Sequence, residues 1–176
     1  MNAAIIALVG IQAIVLTPTA WCGILAFGSA GAILLAASIR LGQRVHLVCG
    51  LIYMILLVDV LFNFRHQLHG WVNAWMKTNQ TYADRQPRQL VILAIILLGV
   101  CGSIAILRRV HPMDRLTWLI VAMTLGVSAL FLLELVSLHA IDALLYRRVG
   151  PVLVIGVLWI FCALVTITAT ARLLKK

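Results

Sequence analysis

From Ala3 to Ile39 the chain carries no Asp, Glu, Lys, Arg or His. An apolar run of about 18 residues or more is long enough to cross the hydrocarbon core of a bilayer as a helix. Four further stretches are uncharged or nearly so: Val45 to Phe64, Leu90 to Leu107, Leu116 to Leu138 and Val149 to Ala171. They are too long and too continuous for barrel strands, which alternate in hydrophobicity over about 10 residues. A bilayer core offers no water to backbone N–H and C=O groups, so runs of this kind must be helical. The expected fold is an all-α, polytopic transmembrane helical bundle, a single integral membrane domain over residues 1–176.

Composition agrees. Of 176 residues, 11% are charged and 64% hydrophobic, with a mean hydropathy of +1.10. Water-soluble domains carry about 25% charged residues, so a sizeable soluble domain is excluded. The net charge of +9 would point to nucleic acid in a soluble protein. Here the basic residues stand at helix ends, where they meet lipid headgroups and set orientation. The expected partners are the lipid bilayer and other membrane subunits or a second copy of the chain, with no nucleic acid. Cys22, Cys49, Cys101 and Cys162 fall one per apolar segment and read as separate thiols acting as small apolar residues. Met1-Asn2-Ala3 offers no basic n-region, so a cleaved signal peptide is not expected.

The longest run must break. Its 37 residues would make a helix of roughly 55 Å, against a core of about 30 Å. Pro18 is the natural break, with Thr17 as N-cap and proline in the first turn. Pro87, Pro112 and Pro151 stand before or at the start of the later runs. This gives a short helix from Asn2 to Leu16 and a full one from Pro18 to Ile39. Six membrane helices are therefore expected. The alternative is five plus a re-entrant or interfacial N-terminal helix.

Let side X be the face reached after Ile39, and side Y the opposite face. Side X collects Arg40, Arg44, Arg108, Arg109, Arg115, Arg172, Lys175 and Lys176. Side Y collects Arg65, Lys77, Arg85, Arg88, Arg147 and Arg148. The excess makes side X, and with six helices both termini, the expected cytoplasmic side, and the expected location is a bacterial inner (plasma) membrane. Small residues at spacing four let helices approach closely in lipid. Gly28, Ala32 and Ala36 form one such ridge, Gly99 and Ser103 a second, Ala122 and Gly126 a third. Packing within the chain is preferred for them over a homo-oligomer seam.

A parallel internal repeat over 18–78 and 90–148 is a candidate. Arg44-Val45-His46 and Arg109-Val110-His111 each precede a long apolar run. Each run holds one carboxylate towards side Y, and a histidine pattern follows. Those carboxylates, Asp59 and Glu134, are conspicuous because ionisable groups inside a membrane are costly. The structural reading pairs them with Arg65, Arg147 or Arg148 to close the bundle. The functional reading makes them a proton or ion path. His66, His69, His139 and Asp142 lie at spacings that suit metal ligation from two helix ends. Leu68, Trp71, Val72 and Trp75 fall at helical spacing and read as an interfacial anchor. All five histidines lie at helix ends, unlike the deep axial ligands of a membrane haem. No cofactor is expected, with a metal ion at the histidine cluster as the alternative.

No nucleophile–base pattern and no phosphate-binding loop is present, so no catalytic residue is assigned. The expected function is a non-catalytic subunit or accessory of a larger membrane assembly. The alternatives are a small ion-coupled transporter using Asp59 and Glu134, and a metal-dependent enzyme acting on lipid at the interface.

Overall fold

A computed structural model describes residues 17–78, 85–110, 113–136 and 139–175. These form α1 (Pro18–Leu41), α2 (Arg44–Phe62), α3 (Phe64–Thr78), α4 (Arg85–Val110), α5 (Arg115–Val136), α6 (His139–Leu145) and α7 (Val154–Leu174). A two-stranded ladder, β1 (Arg148–Val149) with β2 (Val152–Leu153), precedes α7. The chain is an all-α helical bundle. Four helices (Pro18–Leu41, Arg44–Phe62, Arg115–Glu134 and Val154–Leu174) are long and apolar enough to cross a membrane, and α4 contains a shorter apolar stretch, Val91–Ile106. The expected helix from Asn2 to Leu16 lies outside the described residues.

Local chemistry explains the boundaries. Thr17 is extended (φ −65°, ψ 156°) and its hydroxyl accepts from the Ala20 N–H at 3.2 Å, with Pro18 next. Threonine satisfies an orphan donor there and proline wastes none. Two boundaries differ from expectation. The run Val45 to Phe64 is broken at Asn63, which adopts φ 57° and donates its N–H to the Asp59 carbonyl at 2.6 Å. Asparagine tolerates this left-handed conformation better than other non-glycine residues. The last helix starts at Val154 rather than at Pro151. Val149 instead pairs with Val152 across Gly150-Pro151, and Gly150 takes φ 63°. A positive φ at the first central position suits a two-residue hairpin turn.

α1 is the centre of the packing, with α2 on one flank and α7 on the other, and α5 completes the core against α7. α1 and α2 run antiparallel and close together. A Cβ on Gly31 would lie 2.9 Å from the Met54 sulfur, so any larger residue would force the Met54 side chain to shift. α7 runs parallel to α1, pinned at its start by the Leu153 N–H donating to the Thr19 hydroxyl at 3.0 Å. At mid-depth the hydroxyls of Tyr53 and Thr166 are 2.9 Å apart and hydrogen-bonded.

The small-residue ridges do not pack where spacing alone placed them. On α1 the inward row is Gly23, Phe27, Ala30, Gly31, Leu34 and Ala37. Gly28 is half-buried, and Ala32 and Ala36 are exposed. Several rows of one helix share a spacing of four. The large residues Phe27 and Leu34 lie on the buried one, where they make close packing contacts with the facing helices. Gly99 is exposed, and Ser103 turns its hydroxyl back onto the Gly99 carbonyl at 2.7 Å. Ala122 and Gly126 are half-buried, and among the described residues no atom stands within 4 Å of a Cβ built on Gly99 or Gly126. These rows face outward or into loose contact rather than into the core.

Candidate functional site

The break at Asn63 decides what happens at side Y. It turns the chain so that the start of α3 folds over the end of α2. The Arg65 N–H, an orphan donor in the first turn of α3, then meets Asp59 Oδ1 at 3.0 Å. Asp59 thus caps the following helix from within the preceding one. The same turn carries the Arg65 side chain inward, to 11% exposure.

Inside, Arg65 Nη1 donates to Glu134 Oε2 at 2.6 Å, and Arg65 Nε lies 3.5 Å from Asp59 Oδ2. The Glu134 side chain is 1% exposed. Its second oxygen accepts from the Tyr146 hydroxyl at 3.0 Å. The Arg65–Glu134 pair therefore ties together the α2–α3 corner, the end of α5 and, through Tyr146, the turn after α6. Such short, charge-assisted bonds are the strong class of hydrogen bond. They are also what buried charges require, since burial takes both partners away from a polar solvent.

Aromatic rings complete the enclosure. The Arg65 guanidinium carbon lies 4.3 Å from the Phe131 ring centroid and 4.9 Å from that of Trp159. Phe131 and Trp159 stack at 5.3 Å, and Phe27 packs against both at 5.5 and 5.4 Å. The negative ring faces attract the cation, and the desolvated setting strengthens that attraction. Tyr146 lies outside the long apolar helices. Burial, and then the neighbouring Glu134 carboxylate, push its phenol pKa above the usual range, so it stays a donor.

Asp59 and Glu134 are thus brought together, on Arg65 and not on Arg147 or Arg148, which are exposed. Of the metal candidates, the helix backbones at His66, His69 and His139 are described, but their side chains are not; Asp142 is half-buried. The four-ligand cluster therefore lies outside the described residues. Of the interfacial anchor, Leu68, Trp71 and Trp75 are on the exposed side of α3, with Trp71 81% exposed, and the Val72 side chain is outside the described residues.

A cleft of 550 Å³ opens beside the ionic cluster, between α2, α3 and α5. Its walls are mainly apolar, and Asp59, Arg65 and Gln67 form its polar part. Residue patterns had flagged the two carboxylates and Arg65, but not Tyr146 or the ring cluster. Tyr146 sits beside the Arg147-Arg148 pair and so reads as part of a wet turn. The ring cluster joins residues from three helices, which no local pattern displays. Comparison with protein-family models, with curated proteins and with solved structures finds no match to this chain.

Proposed function

We propose that this chain is an integral membrane protein of the bacterial inner membrane, side X facing the cytoplasm, that serves as a non-catalytic subunit of a larger membrane assembly. The single observation that carries this reading is the outward row of α1. Ser29, Ala32 and Ala36 are exposed along it, while the inward row is fully occupied by α2 and α7. Lipid tails gain little from small side chains. Another helix gains a close backbone approach. A row of small residues that the described part of the chain does not use internally is therefore suited to a helix of another subunit.

The ionic cluster supports the non-catalytic part of the reading. Glu134 already accepts from Arg65 and Tyr146, and Asp59 from Arg65. Carrying a proton or cation would require these bonds to open at each cycle, with a guanidinium left in a ring-lined site. A clamp requires only that they stay closed.

The test is the size of the particle extracted from its native membrane in polymer discs. A mass above that of one chain is expected, and it should fall to one chain for Ala32→Phe or Ala36→Phe. Both side chains point outward, so the thermal stability of the chain itself should hold. A single-chain mass for the parent protein, or complexes untouched by both bulky variants, contradicts the reading.

A further inference from the structure

We propose that the cleft between α2, α3 and α5 is a binding site for one acyl chain of a bilayer phospholipid, held by its hydrocarbon and not selected by its headgroup. The cleft volume of 550 Å³ falls in the usual range of small-molecule sites, about 300–1,000 Å³. Its rim is made by Ile55 on α2, Leu68 and Trp71 on α3, and Leu132 on α5. All four are exposed large apolar side chains. Ile55 and Leu132 belong to two of the long apolar helices, and Leu68 and Trp71 to α3, which follows the first of these directly at side Y. At that depth the fluid in contact with an outward-opening apolar cleft is hydrocarbon.

The shape favours an amphiphile over a patch of tails. α3 leaves the bundle at the Asn63 corner and roofs the cleft with Leu68 and Trp71, whose ring is 81% exposed. Tryptophan at such an edge sits at headgroup level. Gln67, Asp59 and Arg65 lie together at the corner, so one part of the cleft is polar and the rest is not. An acyl chain would enter below the roof with its ester end towards this corner.

Charge decides the headgroup question. Among the described residues Arg65 is the cation in the lining, and it is engaged by Asp59 and Glu134 at 3.5 and 2.6 Å. Two carboxylates on one guanidinium leave the described lining with no net positive charge to attract a phosphate-rich or anionic headgroup. Affinity must then come from buried methylene groups, each contributing about 0.8 kcal/mol. The inference rests on the membrane placement of the bundle and not on its being a subunit. The row on α1 and the cleft are separate surfaces, so the two proposals fail independently.

The experiment adds phosphatidylcholine or phosphatidylglycerol of matched chains to detergent-purified full-length protein. Bound lipid is counted by native mass spectrometry and the shift in melting temperature is recorded. One phospholipid per chain should be retained, to the same extent within about threefold for the two headgroups. Leu132→Trp and Leu68→Trp fill the cleft from two walls and should each lower retention at least tenfold. Ile95→Trp, on an exposed position of α4, should leave it unchanged. Leu68 and Leu132 are both partly exposed, so at least one filled variant should melt like the parent, and that variant decides the matter. Retention equal to the parent in a folded filled variant overturns the proposal. So does retention of phosphatidylglycerol alone, which would place the lipid on the basic rim. So does a polypeptide that excludes lipid from the cleft.

Discussion

The two ends of the bundle handle charge in opposite ways. At side Y, Arg65 turns inward and is enclosed by Asp59, Glu134, Phe131 and Trp159. At side X, Arg40, Arg44 and Arg115 are exposed. The carboxylate there, Asp114, serves its own helix, accepting from the N–H groups of Leu116 and Thr117 and from the Thr117 hydroxyl. The side X end also buries His46 to 1% exposure, with no hydrogen-bond partner for either ring nitrogen among the described residues. The lesson is that the sign and position of a charge in a membrane sequence do not decide its role. A corner does. Asn63 folds the chain back at side Y and brings a guanidinium within reach of two carboxylates. At side X, Gly42 and Gln43 join α1 to α2 without returning a charge to the core.

The largest effect should come from opening the side Y cluster. Glu134→Ala leaves the Arg65 guanidinium enclosed with one weaker ion pair. Breaking a buried pair this way costs about 3–5 kcal/mol, read as a large drop in melting temperature in detergent. Next is the capping role at side X. Asp114→Ala should cost about 1 kcal/mol, the usual loss of an N-cap, with no change in the side Y cluster by tryptophan fluorescence.

Tyr146 gives a pH test that separates the ends. Its phenol pKa is raised in the folded protein, so its contribution is intact below the ordinary tyrosine value of about 10 and is lost as pH rises above it. Thermal melts on the alkaline side should fall less steeply for Tyr146→Phe than for the parent. The smallest effect should be His46→Leu. Replacing a buried unpaired imidazole with an apolar group should be neutral or stabilising by up to about 1 kcal/mol. A loss of several kcal/mol would show that His46 has an essential polar contact at side X.

Much of the fold is legible in the chain. The apolar runs mark the long helices, and Thr17-Pro18 marks the start of α1, because both signals are local. The break at Asn63 is less so. Asparagine inside a nearly uncharged run has no strong breaker signature, although it tolerates the left-handed conformation that ends α2 there. The late start of α7 was masked for a similar reason. Val149 and Val152 continue the apolar pattern, and pairing across Gly150-Pro151 is a contact that composition does not reveal. Among the site residues, Asp59, Glu134 and Arg65 stood out because charge is scarce inside the runs. The small-residue ridge on α1 was readable as a helix-packing surface, but the row that packs within the bundle is the one that holds Phe27 and Leu34.

The claim that side Y is closed by a mutual clamp is tested most directly by a double-mutant cycle on Arg65 and Glu134. Melting free energies would be compared for Arg65→Met, Glu134→Leu and the pair together. Each single change should be strongly destabilising and the double much less than their sum, with a coupling of about 2–3 kcal/mol. A coupling below about 0.5 kcal/mol would contradict the account, because the two groups would then be acting independently.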